Sequence, residues 1–355
     1  MKSPAILAVT LLSLAACGEP TRPPTAAADR AEAEHGSSSV YKVIDLGNLG
    51  GTRTFAGHIN NRGQVSGNAG LANGDTHAFI WDAKRGMVDL GTLGGSFSIA
   101  NGMNDHGVVV GHSGDASNTQ RAFVWTATEG MRDIGTLGGP FAVAAGISED
   151  GEVAGYSSLV AGGKEHGFTW SKRDGMRDAG TLNGGSTEIR AISESGKFGA
   201  GAARPFAGGR FHAVIWTARA GFTDIETLGN RVSFAVGVND HGQVIGNALT
   251  AAFGEHCFIW EASSGMIELE PLDGPDGYAS VGGINEHGVV VGASSTPDDI
   301  RGFIWTKHLG MRRLDGLPGE VFGHADGIND DGWIVGSSEP GDDKIHAILW
   351  MPKDE

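Results

Sequence analysis

The sequence is constrained most strongly by a unit of about 45 residues that occurs seven times in succession. One tryptophan marks each copy, at Trp81, Trp125, Trp170, Trp216, Trp260, Trp305 and Trp350. A leucine column is the same in all copies: Leu49, Leu93, Leu137, Leu182, Leu228, Leu272 and Leu317. A glycine column is also invariant: Gly63, Gly107, Gly151, Gly196, Gly242, Gly288 and Gly332. Such regular repetition indicates a repeat architecture, because each unit buries its apolar face against its neighbours.

Each unit predicts four short strands and no helix. In the second copy, residues 99–103 and 108–111 are apolar segments joined by Asn104-Asp105-His106-Gly107, a sequence typical of a hairpin turn. Residues 121–125 and 131–135 supply the third and fourth strands. Four antiparallel strands in each of seven units predict an all-β fold, a seven-bladed β-propeller. A stacked β-solenoid is the alternative, although its repeats are usually shorter and it needs end caps.

The two ends of the repeat region predict how the ring closes. The last unit has three strands, the third of which contains Trp350. The segment Tyr41–Gly47, YKVIDLG, matches the fourth-strand motif GMVDLG. We therefore expect this N-terminal strand to complete the last blade, which leaves only short, protected strand edges.

The repeated strings THAFIWD, GMVDLGTLGG and INDDGWIVG resemble the HAF repeats of predicted extracellular bacterial proteins. The resemblance covers residues 41–355 and implies an exported, propeller-like protein. It implies no catalytic residues, because that family has no settled activity. The fourth copy departs most from the pattern, with His212-Ala213-Val214 in place of His-Ala-Phe and with Asn183 inserted in the glycine-rich loop.

The N-terminus predicts export and lipid attachment. Lys2 precedes an apolar run over residues 5–14, which is too short to cross a bilayer as a helix and is typical of a signal-peptide core. Leu14-Ala15-Ala16-Cys17 resembles the lipobox of bacterial lipoproteins, in which cleavage before the cysteine leaves its thiol free for acylation. An ordinary secretory signal with an incidental cysteine is the alternative.

We therefore expect a signal peptide over residues 1–16, a lipidated Cys17 with a flexible tether over residues 17–40, and the propeller over residues 41–355. Several acyl chains on Cys17 would anchor the protein firmly in a membrane of the cell envelope. Gly18 rather than aspartate follows Cys17, which favours the outer membrane under enterobacterial sorting preferences. The other cysteine, Cys257, replaces an alanine of the repeat, so we expect it to be a small buried residue.

Composition excludes one class of partner. Asp and Glu number 42 against 26 Lys and Arg, which gives a formal net charge of −16. Nucleic-acid binding requires a dense positive field, so we expect no nucleic-acid partner. The possible partners are the membrane, through Cys17, and an envelope glycan, peptide or protein. A monomer is favoured.

Residues present in every copy are expected to build the fold rather than to carry chemistry. Histidines open the third strand in five copies, and arginines do so in two: His77, His166, His212, His256 and His346, with Arg121 and Arg301. One residue per blade is too widely spaced for a metal site, so we expect each to hydrogen-bond a neighbouring turn. The sequence contains no nucleophile, phosphate-binding or paired metal motif, and it implies no metal and no cofactor.

Function is therefore expected where the copies differ, on the strands that line the channel. Glu188 and Arg190 in the fourth copy, and His324 and Asp326 in the seventh, replace apolar or very small residues. With Asn101 of the second copy they are the candidate ligand-binding residues. The alternative hypothesis is that these groups only line a water-filled channel. Arg204, Phe206 and Arg210, in a long loop of the fourth copy, are weaker candidates.

These observations favour a non-catalytic module that binds a polar ligand or a protein. The alternative is an extracellular polysaccharide hydrolase or lyase that uses Glu188, His324 and Asp326 at the channel mouth. Glycoside hydrolysis needs two carboxyl groups across one bound sugar, and residues in the fourth and seventh copies are expected to lie too far apart. A purely structural scaffold is the third hypothesis.

Overall fold

The regular secondary structure of the repeat region consists of β-strands. The computed structural model describes residues 40–160, 163–206, 209–229, 232–250 and 254–353, and every regular element in these ranges is a strand. Residues 41–355 form one compact unit. The predicted signal peptide, Cys17 and the tether up to residue 39 lie outside the described residues. The described ranges contain no helix that is long and apolar enough to span a bilayer.

Strands recur in the predicted order. The first strands of the seven repeats are β2 (Gly50–Ile59), β6 (Gly94–Met103), β10 (Ala142–Ile147), β14 (Thr187–Ile192), β18 (Ser233–Val238), β22 (Ala279–Ile284) and β26 (Phe322–Ile328). The second strands are β3 (Val65–Leu71), β7 (Val109–Asp115), β11 (Val153–Ser158), β15 (Gly199–Ala203), β19 (Val244–Leu249), β23 (Val290–Ser295) and β27 (Ile334–Glu339). The third strands are β4 (Thr76–Asp82), β8 (Gln120–Thr126), β12 (Glu165–Ser171), β16 (His212–Thr217), β20 (Glu255–Glu261), β24 (Ile300–Thr306) and β28 (His346–Pro352). The fourth strands are β5 (Gly86–Asp89), β9 (Gly130–Asp133), β13 (Gly175–Asp178), β17 (Gly221–Asp224), β21 (Gly265–Leu269) and β25 (Gly310–Arg313). The strand that precedes the repeats is β1 (Tyr41–Asp45).

Consecutive strands of a repeat pair antiparallel. Repeats three, four and five each form a separate four-stranded sheet. Repeats one and two share an eight-stranded sheet, in which β4 and β6 meet through a single parallel pair, Thr76 with Phe97. In the other eight-stranded sheet, β24 of repeat six meets β26 of repeat seven at Ile300 and Phe322. Strand β1 pairs antiparallel with β28, from Tyr41 opposite Pro352 to Asp45 opposite Ile348.

The first hairpin of each repeat closes with the predicted turn. In repeat one the amide of Gly63 donates to the carbonyl oxygen of Asn60, and Gly63 has a φ of 72°. The other six members of this glycine column have φ between 71° and 83°, a range that residues with a Cβ rarely adopt. The side-chain oxygen of Asn60 accepts from the amides of Arg62 and Gln64, which fixes the turn from inside.

Each first strand contains a β-bulge at the same position. In repeat one, Ala56 lies opposite Gly67 and His58 lies opposite Ser66, so Gly57 is an extra residue without a partner on β3. The extra residues of the seven repeats are Gly57, Asn101, Ala145, Arg190, Val236, Gly282 and Asp326. A bulge interrupts the regular alternation of the strand and redirects the extra side chain.

A glycine on the second strand accommodates this bulge. A Cβ at Gly67 would lie 2.0 Å from the carbonyl oxygen of Phe55 and 2.9 Å from Cε1 of Phe79. The equivalent residues are glycine in all seven copies: Gly67, Gly111, Gly155, Gly201, Gly246, Gly292 and Gly336. In each copy a Cβ would lie within 2.1 Å of a first-strand carbonyl oxygen. The structure thus draws attention to a fourth invariant column, beside the tryptophan, leucine and glycine columns described above.

The apolar core lies between neighbouring repeats. Between repeats one and two, Ile80 and Leu90 pack with Val109 and Phe123. Seven such clusters exist in the described residues, and each holds one leucine of the invariant column at its margin. One of them joins Leu349 of repeat seven to Phe79 of repeat one. Cys257 is fully buried in another, as expected, and burial raises the pKa of its thiol to about 12.

Replacing the second-strand glycine is expected to destabilise the fold. Gly67→Ala places a methyl group against main chain that cannot move aside, so we expect a loss of about 1–3 kcal/mol of unfolding free energy, typical of overpacking. Urea unfolding, monitored by tryptophan fluorescence, measures this loss of unfolding free energy. Gly57→Ala is the matched control, because a Cβ there would have only the carbonyl oxygen of Ser66 nearby, at 4.0 Å. Equal losses in the two variants would contradict the proposed role of the close contact.

Candidate functional site

Six of the seven bulge residues, all except Gly57, line one central cavity of about 200 Å³. Residues from the first strand of every repeat line it. Asn101, Arg190 and Asp326, three of the five residues predicted from the sequence, are bulge residues and contribute to this lining. Glu188 and His324, also predicted as channel residues, do not belong to it. They precede the bulges by two residues and lie in the regular part of their strands.

Glu188 instead supports Arg190. The Glu188 side chain is only 8% exposed, and its Oε2 atom accepts from both Nε and a terminal nitrogen of Arg190 at 2.8 Å. The guanidinium carbon of Arg190 lies 4.9 Å from the ring centroid of Phe234, on the first strand of the next repeat. A guanidinium held by a buried carboxylate and an aromatic face is fixed in orientation. Because the carboxylate is buried, removing Arg190 alone would leave an uncompensated charge.

His324 has the same relation to Asp326. Nδ1 of His324 lies 2.9 Å from Oδ1 of Asp326, and Nε2 lies 3.4 Å from the hydroxyl of Ser280 on the neighbouring first strand. Burial opposes protonation of His324, but Asp326 outweighs it, so the pKa of the imidazole is raised above its ordinary value. These four candidate residues therefore form two pairs within single strands, each between a residue of the regular strand and a bulge residue.

Asn101 is held by hydrogen bonds of its own. Its Nδ2 atom donates to the carbonyl oxygen of Ala144 at 2.9 Å and lies 3.0 Å from Nδ1 of His112. Burial lowers the pKa of His112 to about 4, so this imidazole is neutral at pH 7 and accepts from Asn101 through Nδ1. The amide oxygen of Asn101 has no hydrogen-bond partner among the described residues and lines the cavity.

The structure adds His58, which sequence reasoning missed. His58 directly follows the bulge of repeat one, where the other repeats have Gly102, Gly146, Ala191, Gly237, Gly283 and Gly327. Its imidazole lines the cavity and has no hydrogen-bond partner among the described residues. Burial lowers its pKa to about 4, against the opposing effect of the Asp326 carboxylate. A comparison of this one column between copies would have revealed it.

A ring of six acidic side chains and one asparagine, which we call the acidic ring, surrounds one end of the cavity, where the first hairpins turn. The equivalent residues are Asn61, Asp105, Glu149, Glu194, Asp240, Glu286 and Asp330. Most of them link neighbouring repeats: the amide of Asn61 donates to Asp105 at 2.7 Å, and the amide of Asp105 donates to Glu149 at 2.8 Å. The amide of Asp330 in turn donates to Oδ1 of Asn61 at 2.9 Å. These carboxylates therefore have a structural role in joining the turns.

Glu194 is the exception in this ring. The amide of Glu149 donates to the main-chain carbonyl oxygen of Glu194 rather than to its carboxylate. Its side chain makes no hydrogen bond to another described residue. Partial desolvation, followed by the carboxylates of Asp330, Glu286, Asp105 and Glu149, raises the pKa of Glu194 to about 7. Within the described ranges no three His, Cys, Asp or Glu residues are arranged to hold a metal ion.

The histidine column is structural, but its partner differs from the prediction. Nδ1 of His77 lies 2.9 Å from Asp89, at the end of the fourth strand, rather than against a turn. His166, His212 and His256 are paired in the same way with Asp178, Asp224 and Glu268. His346 on β28 is paired with Asp45 on β1, at 2.8 Å. In repeat six the acidic partner is replaced by Arg313, and Arg301 pairs with Asp299 instead.

The chain matches no protein-family model and no curated protein sequence. It is similar in structure to the β-propeller domain of the Trilobed protease from Pyrococcus furiosus, with a TM-score of 0.56 at 11% identity over 87% of this chain and 94% of that one. It is also similar to the Pyrococcus horikoshii acylaminoacyl peptidase, with a TM-score of 0.54 at 9% identity over 85% of this chain and 52% of that one.

A puromycin-hydrolyzing peptidase of Mycobacterium tuberculosis gives a TM-score of 0.55 at 11% identity over 86% of this chain and 55% of that one. This chain therefore spans about half the length of the two peptidases. At these identities the likeness concerns the fold. Together with the four-stranded antiparallel sheets, it establishes that the protein has a β-propeller fold.

The acidic ring predicts a pH dependence of stability. The pKa of Glu194 is about 7 in the folded protein, above the ordinary 4.5. Deprotonation of Glu194 therefore costs more free energy in the folded state than in the unfolded state. The stability that the protonated carboxyl group contributes is fully present below pH 4.5 and is lost as the pH rises to 7. We expect Glu194→Gln to raise the melting temperature at pH 8 but not at pH 4. Glu270→Gln, an equal charge change outside the ring, is the control; the same pH profile in both variants would contradict this assignment.

Proposed function

We propose that this protein is an exported, lipid-anchored β-propeller of the HAF-repeat type whose central cavity binds a polar ligand without changing it chemically. One observation carries the proposal. At the bulge position, where the other repeats have Gly, Ala or Val, three repeats have Asn101, Arg190 and Asp326, and all three line the same cavity. Polar groups that converge in a cavity are the usual means of orienting a ligand.

We further propose that the repeats form seven blades in a closed ring. Three contacts between the first and last repeats support this arrangement. Strand β1 pairs with β28, an apolar cluster joins Phe79 to Leu349, and the amide of Asp330 donates to Asn61. The His346–Asp45 pair connects β28 to β1 as the equivalent pairs connect third and fourth strands elsewhere. Strand β1 then takes the place of the fourth strand of the last blade.

Binding is favoured over catalysis by the state of the charged groups. Glu188 is engaged by Arg190, and Asp326 is engaged by His324, at 2.8 and 2.9 Å. Hydrolysis of a sugar by Glu188 and Asp326 would need one of these carboxyl groups free to give a proton and the other free to act opposite it. A cavity of about 200 Å³ is also smaller than the roughly 300–1,000 Å³ that is typical of pockets for larger ligands. It suits a small ligand or one group of a larger one.

A thermal-shift screen of residues 41–355 tests the cavity. The probes are calcium, magnesium, glucosamine, glucose and glycine. A probe present at 100 times its Kd should add about 2.7 kcal/mol of stability. We expect Asp326→Asn to abolish the shift, because the variant keeps the shape of the side chain and removes its charge. The double variant Glu188→Gln/Arg190→Gln should do the same without leaving a buried carboxylate unpaired.

Val236→Ala is the matched control for this screen. Val236 occupies the same bulge position in repeat five and lines the cavity without a polar group, so its variant should keep the shift. If no probe stabilises the wild type, or if all variants respond alike, the cavity is not the binding site for these ligands.

Lipid anchoring has its own test. In a Gram-negative host, Cys17→Ser should move the protein from the membrane fraction to the soluble fraction, because the acylated thiol is lost. For the same reason the variant should no longer be labelled by radioactive palmitate. Cys257→Ala is the control, since alanine is the repeat's own residue at that position, as in Ala78 and Ala122. Continued membrane association of Cys17→Ser would overturn the proposed anchor.

A further inference from the structure

The loops that connect second to third strands differ sharply in charge. In repeats one, six and seven these loops contain Asp75, Asp298, Asp299, Asp342 and Asp343. The loop of repeat four, between β15 and β16, contains Arg204 and Arg210 and no acidic residue. In a chain with a net charge of −16, this loop is a local site of positive potential.

Arg204 is held in place without being neutralised. Its guanidinium carbon lies 4.3 Å from the ring centroid of Phe211, so the planar group stacks on the ring. Arg204 is exposed and forms no ion pair or hydrogen bond through its side chain with another described residue. An oriented guanidinium with free N–H groups can bind a carboxylate through two parallel hydrogen bonds.

Aromatic rings connect Arg204 to the cavity. The centroids of Phe211 and Phe234 are 5.5 Å apart with the rings tilted by 41°, and the guanidinium carbon of Arg190 lies 4.9 Å from the centroid of Phe234. The four groups therefore form one continuous row in the order Arg204, Phe211, Phe234, Arg190. It runs from the loop of repeat four to the wall of the central cavity.

Hydrogen-bonding groups of repeat three lie beside this row. Glu165, the first residue of β12, is partly buried, and its carboxyl group contacts that of Glu188. Burial and the neighbouring Glu188 raise the pKa of Glu165, whereas Arg204 and Arg190 oppose this effect. The hydroxyl group of Tyr156, on β11, is close enough to Glu188 and Arg190 to sense their charges and has no hydrogen-bond partner among the described residues.

We propose that these residues form a binding site for a sugar acid, such as a uronate unit of an acidic polysaccharide. We call it the rim site and define it by Tyr156, Glu165, Arg190, Arg204 and Phe211. Arg204 would bind the carboxylate of the sugar, and the hydroxyl groups of the sugar would bind Glu165 and Tyr156. Carboxyl and phenol groups are suitable partners because sugar hydroxyls both donate and accept hydrogen bonds.

The mixed charge of the rim site selects against simpler ligands. A small inorganic anion at Arg204 would be repelled by Glu165 and Glu188 without gaining compensating hydrogen bonds. A neutral sugar would leave the free donors of Arg204 without an anionic partner. A sugar acid carries one carboxylate for Arg204 and several hydroxyl groups for the carboxyl groups, so it can satisfy both kinds of group at once.

The rim site goes beyond the proposed cavity ligand and can be tested separately. Arg190 is the only one of its defining residues that lines the central cavity. Asp326→Asn, which should abolish binding in the cavity, is therefore expected to leave the rim site intact. Binding at only one of the two sites, the central cavity or the rim site, would show which of the two proposals fails.

Isothermal titration calorimetry with residues 41–355 provides the test. The probe is an α-1,4-linked galacturonate trimer, and its fully methyl-esterified form is the uncharged control. We expect the trimer to bind the wild type and the ester to bind at least tenfold more weakly. Arg204→Gln should weaken binding of the trimer by about tenfold or more, as expected for loss of hydrogen bonds to a charged group. Tyr156→Phe should weaken it severalfold without changing the melting temperature.

Arg219→Gln is the matched control variant. Arg219 is an exposed arginine of the same repeat, in the turn between β16 and β17, and its side chain makes no hydrogen bond or ion pair with another described residue. Its variant should bind the trimer as the wild type does. The proposal is overturned if the trimer does not bind, if Arg204→Gln binds it normally, or if acetate or trialanine at equal concentration produces the same heat.

Discussion

The architecture depends on a contact between two main chains. In every repeat a second-strand glycine lies against the first strand where that strand carries its bulge, and a Cβ at this point would come within 2.1 Å of a carbonyl oxygen. Only glycine permits this approach, which explains why the column does not vary. The bulge in turn adds one extra residue to each first strand, and in six of the seven repeats this residue lines the central cavity. The fold and the candidate site thus have a common cause, because the invariant second-strand glycine makes room for the bulge, and the bulge residue differs between repeats.

The core shows how repetition distributes stability. The apolar clusters lie between neighbouring repeats rather than within them, so a single repeat could not bury its own apolar face. The polar contacts of the first turns follow the same rule, because Asn60 donates to the carbonyl oxygen of Asn104 and Asn329 donates to that of Asn60. In repeats three and four, serines replace this asparagine. The hydroxyl group of Ser195 in repeat four donates to Oδ1 of Asp240 in repeat five at 2.7 Å, whereas the turns of repeats three and four are joined by a main-chain hydrogen bond from Glu149 to Glu194. We infer that the contact between repeats three and four depends more strongly on apolar packing.

The sequence was sufficient for the strand order, the turns and much of the candidate site. Tryptophan spacing and the Asn-x-x-Gly turns are local patterns, and they predicted elements that the structure contains. Arg190 and Asp326 were found because their columns vary between copies. Glu188 and His324 lie outside the cavity lining for a physical reason: residues two apart share a face only on an uninterrupted strand, and a bulge lies beside each of them. A bulge depends on the facing strand, so the first strand alone does not reveal it.

Repeat four shows how the fold tolerates its own departures. Val214 replaces the phenylalanine found at the same position in Phe79 and Phe123, which would leave a void. Ile189, where most copies have alanine, and Phe222, where most have methionine, occupy the same apolar cluster and restore its volume. The cluster remains fully buried at Ile189 and Val214. Because the volume is conserved, the neighbouring positions can carry Glu188 and Arg190 without loss of packing. The repeat that departs furthest from the pattern is therefore the one that carries two of the candidate polar groups.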